Sequence, residues 1–362
     1  MRDRDLDRRE ILQLIDRLRV LIRGIDTQAG RDLSYELHRA REWYERGDPV
    51  RGGLALAAAD ELGAAIADLP DARELLDFLL RETGWPRPLR IQYLSDLHVR
   101  ESDPLALADA GADVLVVAGD VADTWEGLRW IVAAASAPHI VFVAGNHDPF
   151  DKDCHEYLRT IRLIEAEDPA RIHVLEHNVL ELGDLVIMGC TLWSDFELSA
   201  WPLDEVMRLA QENMVEYQRV FDFAAWHGSR PIKRGKTYFP PRLSAATTRG
   251  WHLAARDWLD RTLRAYAGWK RVVVTHHAPH PKSVEERRGD RPHSWSHPWV
   301  EDWAPAAYAS DCSELLEQAD VWIHGHTHRV EDYAVGGCRV LSNPARDKGY
   351  DPTRCIELEV GP

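Results

Sequence analysis

The chain has 362 residues and a formal net charge of −16, from 60 Asp and Glu against 44 Lys and Arg. Its length allows two domains and an ample core. The acidic balance excludes a sequence-blind nucleic-acid coat, whose affinity rests on cations at phosphates.

In chain order, the opening "MRDRDLDRRE" mixes charges of both signs and leads into an amphipathic run, so no secretory signal is expected. No stretch of about 18 apolar residues exists, so no transmembrane helix and no membrane partner are expected. Residues 1–85 read as helical. Ile11, Leu14, Ile15, Leu18, Leu21, Ile22 and Ile25 recur at helical spacing. "LSYELHRAREWYERG", "GLALAAADELGAAIADL" and "DARELLDFLLRETG" follow as further helices, the last ending at Gly84 as a C′ glycine. No constellation of reactive residues occurs here. The region is expected either to pack as a layer on the main domain or to recruit a protein partner or a second copy of the chain.

After the linker "GWPRPLR" the pattern changes. "IQYLSDLHV", "VLVVAGDVAD", "IVFVAGNHD" and "RVVVTHHAP" are short β-rich apolar runs, each followed by polar residues, with helical segments between several of them. That is an α/β plan with buried strands. Sites in such folds form where strand ends release their loops. The expected domains are a helical region over 1–85 and a main domain over 86–362 with an insertion at 195–268. Within the insertion, Met207, Ala210, Met214, Tyr217 and Phe221 trace one helix face, and Trp251, Ala255, Trp258, Thr262 and Tyr266 another. Between them, Arg230 to Arg249 holds six basic residues and no acidic one.

The strand ends carry the chemistry. Asp96 and His98 form D-x-H, Asp120 and Asp123 form G-D-x-x-D, and Asn146, His147 and Asp148 form G-N-H-D. His276 and His277 end the fourth run, and "VWIHGHTHRV" adds His324, His326 and His328. Oxygen and imidazole donors without thiolate suit Mn²⁺, Fe, Zn²⁺ or Ni²⁺. Seven such groups exceed one tetrahedral ion and fit two if a carboxylate bridges, the usual device for displacement at phosphorus.

This series of motifs, in this order, resembles the calcineurin-like metallophosphoesterase superfamily over about residues 89–361. The resemblance implies a two-sheet β-sandwich flanked by helices, with metals at its loop-rich rim. It implies that Asp96, His98 and His328 hold one divalent ion, that Asn146, His276 and His326 hold the other, and that Asp120 bridges them, with manganese the first choice of metal. It further implies that His147 faces the scissile phosphate as proton donor or charge stabiliser, and that Asp123 accepts a hydrogen bond from His147. The activity implied is metal-dependent phosphoester hydrolysis, by a phosphodiesterase or phosphatase.

Other features are read from the residues. Gly325 is expected to let the backbone turn so that His326 and His328 serve different ions. His324 is expected to be a strand-end or supporting histidine, and Asp148 structural. His277 either touches substrate or packs. Trp295, Trp299 and Trp303 either stack on substrate or pin an insertion. Arg234 and Lys236 of the basic loop are candidate phosphate contacts, which gives the narrower alternative of a nuclease or nucleotide phosphodiesterase. A non-catalytic scaffold acting through the N-terminal helices is the alternative of another class. The five cysteines, Cys154, Cys190, Cys312, Cys338 and Cys355, form no C-x-x-C pair, so a reducing, cytoplasmic compartment is expected.

Overall fold

The computed structural model describes residues 6–100, 105–227, 232–234, 237–239, 241–285 and 303–361. They fall into two compact units. The first runs to Arg90 and includes Glu181–Leu185 and the described residues from Glu357 onward; the second holds Ile91–Leu180 and Val186–Ile356.

Four helices dominate the first unit: α1 (Arg8–Leu21), α2 (Gln28–Arg46), α3 (Pro49–Glu61) and α4 (Pro70–Thr83). Each of the first three starts on a side-chain cap. Asp7 and Glu10 cap each other's backbone, Thr27 accepts from Gly30 N, and Asp48 accepts from Arg51 N. Such caps are worth about 1 kcal/mol each. Gly84 ends α4 at φ 72°, as its position after the apolar run predicts. Helix α3 differs from its neighbours. It is buried on all sides, through Val50, Leu54, Leu56 and Ala59 among others, which is why its sequence lacks a polar face.

Two mixed sheets flanked by helices lie largely in the second unit. One has the order β13-β1-β2-β3-β4, from β1 (Leu89–Leu94), β2 (Val114–Ala118), β3 (His139–Val143), β4 (Ile172–Val174) and β13 (Cys355–Leu358). Strands β1 to β4 are parallel, so their carboxyl ends share one rim. The other sheet has the order β11-β12-β10-β9-β6-β5, from β5 (Asn178–Leu182), β6 (Leu185–Cys190), β9 (Lys270–Thr275), β10 (Val321–His324), β11 (Glu331–Val335) and β12 (Cys338–Ser342). Strands β7 (Ile232–Arg234) and β8 (Thr237–Phe239) form a separate ribbon.

Helices α5 (Glu126–Ala134) and α6 (Cys154–Glu165) cover the first sheet, where Ile131, Tyr157 and Ile161 pack with Leu115, Val117 and Phe142. The second sheet is covered by α9 (Ala245–Ala265) and the one-turn α11 (Ser313–Leu316), through Leu259, Leu263 and Leu315 against Met188, Val273 and Trp322. Full burial of each such side chain contributes about 1.5–3 kcal/mol. The remaining helices are α7 (Leu203–Asn213) and the short α8 (Glu216–Arg219) and α10 (Pro305–Tyr308).

Two features of the insertion differ from expectation. The face from Met207 to Phe221 is not one helix, because α7 stops at Asn213 and Met214 is extended, with ψ 138°. Phe221 instead pairs along its backbone with Lys152 and Cys154, which a helix would forbid. In α9 the buried stripe is Thr248, His252, Ala255, Leu259 and Leu263, so Trp258 and Tyr266 only flank it.

Candidate metal centre

The rim of parallel strand ends collects the polar residues. Asp96 and His98 follow β1, Asp120 follows β2, Asn146 and His147 follow β3, His276 follows β9, and His326 and His328 follow β10. Backbone bonds hold these loops in register. Asp96 N donates to Gly119 O at 3.0 Å, His98 N to Asp120 O at 3.0 Å, and Gly325 N to His276 O at 3.0 Å. His147 N donates to Asp120 Oδ1 at 2.9 Å. Asp148 clasps the β2 and β3 loops by accepting from Gly145 N, Asp120 N and Val121 N at 2.7, 2.9 and 3.1 Å. Burial and the nearby Asp120 push its pKa up to about 7, against the Gly145 and Asp120 donors and the charge of His276. Asp148 is thus structural, as expected.

Five of the seven ligand candidates have left-handed backbones: Asp96, His98, Asp120, His326 and His328, with φ between 43° and 66°. Such angles in non-glycine residues are rare and cluster at functional sites. Gly325 has a different role from the one its position suggests. The turn is made by His326 and His328 themselves, and Gly325 is needed for space, since a Cβ there would lie 2.7 Å from Ala118 O and 2.8 Å from Asp96 Oδ2.

Two groups of donor atoms result, each within 4.8 Å: Asp96, His98, Asp120 and His328, and Asp120, His276 and His326. Asp120 belongs to both. In the first, His98 Nε2 and His328 Nε2 are 3.2 Å apart, and His328 Nε2 is 3.3 Å from Asp96 Oδ1. In the second, His276 Nε2 lies 2.9 Å from Asn146 Oδ1 and 3.4 Å from Asp120 Oδ2. Asp120 Oδ2 and His326 Nε2 are buried without a hydrogen-bond partner among the described residues. Burial disfavours charge on His276, yet Asp120, Asp96 and the Ala118 carbonyl outweigh it and push its pKa up to about 9. Buried carboxylates that draw a proton onto a neighbouring imidazole, beside orphaned acceptors, make a site with the charge and vacant lone pairs to suit divalent cations.

His147 stands beside this centre. Its ring packs on Phe150 with centroids 4.3 Å apart and lies edge-on to His98 at 4.9 Å. Asp123 does not meet it through a hydrogen bond among the described residues. Its carboxylate instead accepts from Arg219 Nη1 at 3.1 Å. Arg219 also pairs with Asp151 and lies over the Phe150 ring at 4.3 Å, so the stack runs His147, Phe150, Arg219. Residue-by-residue reasoning missed Arg219, whose contacts span 68 to 96 positions of sequence.

It also missed Glu216, which is buried and accepts a hydrogen bond from the Asn146 side chain. Burial pushes its pKa up to about 7. A signal existed: Glu216 is the one charge in the apolar run "MVEY". His324 is buried between Ser283 Oγ at 3.0 Å and Gly325 O at 2.9 Å, a supporting histidine as expected. His277 is buried too, with Nδ1 3.3 Å from Thr191 O and its ring against Trp193 and His326. A third group, Cys154, His155 and Asp222, shares no residue with the other two. There burial and nearby carboxylates push the thiol up to about 12, which keeps it protonated at neutral pH.

Of the basic loop, Arg242 sits over the Phe221 ring at 4.0 Å, and Arg249 pairs with Glu197 at 2.6 Å. Two of the six cations therefore have partners. Arg234 lies in β7, and Lys236 falls outside the described residues, as do Trp295 and Trp299. Trp303 is buried in a cluster with Phe150 and Trp193, which is the packing role.

A family model described as calcineurin-like phosphoesterase matches residues 89–330. An uncharacterized protein of Acanthamoeba polyphaga mimivirus is 21% identical over 274 residues, covering 70% of this chain and 89% of that protein. Among solved structures, the phosphopantetheinyl hydrolase of Mycobacterium tuberculosis superposes with a TM-score of 0.51 at 16% identity, covering 75% of this chain and 96% of that one.

Proposed function

The chain belongs to the calcineurin-like phosphoesterase family, and from that premise we propose that it hydrolyses a phosphoester bond at the Asp120 centre. The observation that carries this reading is Asp120 itself, shared by two donor groups and left with an unsatisfied buried oxygen. Asp96, His98, Asp120 and His328 would hold one divalent ion, and Asp120, Asn146, His276 and His326 the other, with manganese first and iron, zinc or nickel as alternatives. When bound, two such ions clamp phosphate oxygens and acidify a water.

The chain's own residues supply the rest. His147 is half-buried at the edge of the centre, and its imidazole is the proton donor for the leaving oxygen. Phe150 and the Arg219–Asp123–Asp151 cluster fix the plane of that ring. Glu216 takes the Asn146 N–H, which turns Oδ1 toward His276 Nε2, where it would be free to hold an ion. We take a phosphodiester as the first substrate class to test, and a monoester as the second.

The narrower reading, a nucleotide or nucleic-acid ester, rests on Arg230, Lys233, Arg234 and Lys236. The helical region over 1–85 is a candidate for protein contact or self-association. All five cysteines are free, which suits a reducing, cytoplasmic compartment, and no helix among the described residues is long and apolar enough to cross a membrane.

The test is metal content with turnover. Purified protein loaded with Mn²⁺ should hold about two ions per chain and cleave bis(p-nitrophenyl) phosphate. Asp120→Asn should lower both stoichiometry and turnover. One ion per chain, unchanged by that substitution, would remove the two-ion centre.

A further inference from the structure

A cavity of about 230 Å³ opens beside the metal centre, on the same rim. Strands β3 and β4 are parallel, so the loop Ala144–Gly145 after β3 and Glu176 beyond β4 emerge on one side, and both line it. Helix α6 contributes Tyr157 and His155, and Trp193 and Trp251 close it. The wall is continuous with the centre. The Trp193 ring lies 5.1 Å from His277, whose ring lies 4.1 Å from that of His326.

The lining selects a chemistry. Trp193 and Trp251 both line it, their rings inclined at 50° with centroids 5.9 Å apart, and His155 lies edge-on to Trp251 at 5.9 Å. Among the described residues no Lys or Arg lines the cavity, so an anionic group finds no counter-ion among them. The acidic group is Glu176. Its Oε2 accepts from Thr191 N at 3.0 Å and Thr191 Oγ1 at 2.9 Å. Its Oε1 lies 3.8 Å from His177 Nε2 and takes no hydrogen bond among the described residues. Tyr157 in the same wall has a buried hydroxyl without a partner among them. A cavity of ~150 Å³ suffices for benzene, so this one takes a single or fused ring and not a sugar and phosphate as well.

We propose that this cavity binds a flat aromatic ring carrying N–H donors, neutral or cationic, stacked by Trp193 and Trp251 and held by Glu176. In taking that ring to be part of the substrate's alcohol, the inference rests on the hydrolytic reading above. The binding itself does not.

Two measurements separate the two claims. Calorimetry in EDTA, with adenine and benzoate as probes, reads binding without turnover. Adenine should bind at least tenfold more tightly than benzoate. Leu158→Trp, which fills the cavity, and Trp251→Ala, which removes a face, should each weaken adenine at least tenfold while circular dichroism stays native. Equal binding of the two probes, no binding of adenine, or binding untouched by whichever variant folds overturns the proposal. The second measurement uses Mn²⁺-loaded protein and two diesters with one leaving group, the p-nitrophenyl ester of adenosine 5′-phosphate and methyl p-nitrophenyl phosphate. Leu158→Trp should cut kcat/KM at least tenfold for the first and leave the second within twofold. Equal response of both esters overturns the substrate assignment. Loss of neither ester to hydrolysis in wild type, with adenine still bound, overturns the hydrolytic reading and leaves the ring site standing.

Discussion

At the scale of single residues, the centre depends on side chains whose freedom has been removed beforehand. Asp96, His98, Asp120, His326 and His328 all occupy left-handed backbone, which costs of order 1–3 kcal/mol each and persists only where surroundings impose it. Second contacts fix the side chains. Without Glu216, the Asn146 amide has no reason to keep its oxygen toward His276. Glu216→Ala should therefore weaken binding of the ion that Asn146, His276 and His326 would hold by roughly 10- to 100-fold and spare the other. Calorimetric titration with Mn²⁺ resolves the two sites, and equal weakening of both would contradict the assignment. His147 plays another part. His147→Ala should keep both ions and lower kcat by roughly 10²- to 10⁴-fold on an alkyl leaving group. The loss should shrink for nitrophenolate, which needs little protonation. Equal losses on both would leave charge stabilisation as its role.

At the scale of elements, the connection that matters most is the Asp148 clasp between the β2 and β3 loops. Its three backbone donors are buried, and leaving a buried group unsatisfied costs about 1–3 kcal/mol. Asp148→Ala should lower stability by at least about 3 kcal/mol, seen as a thermal midpoint several degrees lower. Asp148→Asn, which retains an acceptor, should lose less, and no difference between the two would argue against the clasp. Strand ends and the donor groups gathered at them were legible in sequence because each apolar run stops at a motif, and a strand end needs no long-range information. What Asp123 pairs with was not legible, for the opposite reason. Its partner Arg219 is 96 positions away, and nothing local marks an arginine as the residue that will stack on Phe150. The break at Met214 was hidden likewise, since helical spacing continues through it while Phe221 is claimed by Lys152 and Cys154.

At the scale of the whole molecule, a charge of −16 makes the surface hostile to polyanions. The nuclease reading assigns a strand of nucleic acid to Arg230, Lys233, Arg234 and Lys236, four cations in all. A log–log plot of oligonucleotide affinity against salt should then be no steeper than roughly −3. Turnover of a small aryl diester should stay within about twofold between 50 and 200 mM salt, because one phosphate carries few counterions. A steeper slope would mean cations beyond that loop and would strengthen the nuclease reading. The partition into two units has a consequence for modularity. The first unit is threaded by three separate stretches of chain, the residues up to Arg90, Glu181–Leu185, and the tail from Glu357. Gly361 and Asp184 are joined there by paired backbone and carboxylate bonds, and Arg51 Nη2 reaches Glu181 O at 3.2 Å. No single cut separates such a body from its neighbour. Excision near residue 90 would remove the helices without Glu181–Leu185 and the tail, so a fragment cut there should melt below the same unit in the full chain.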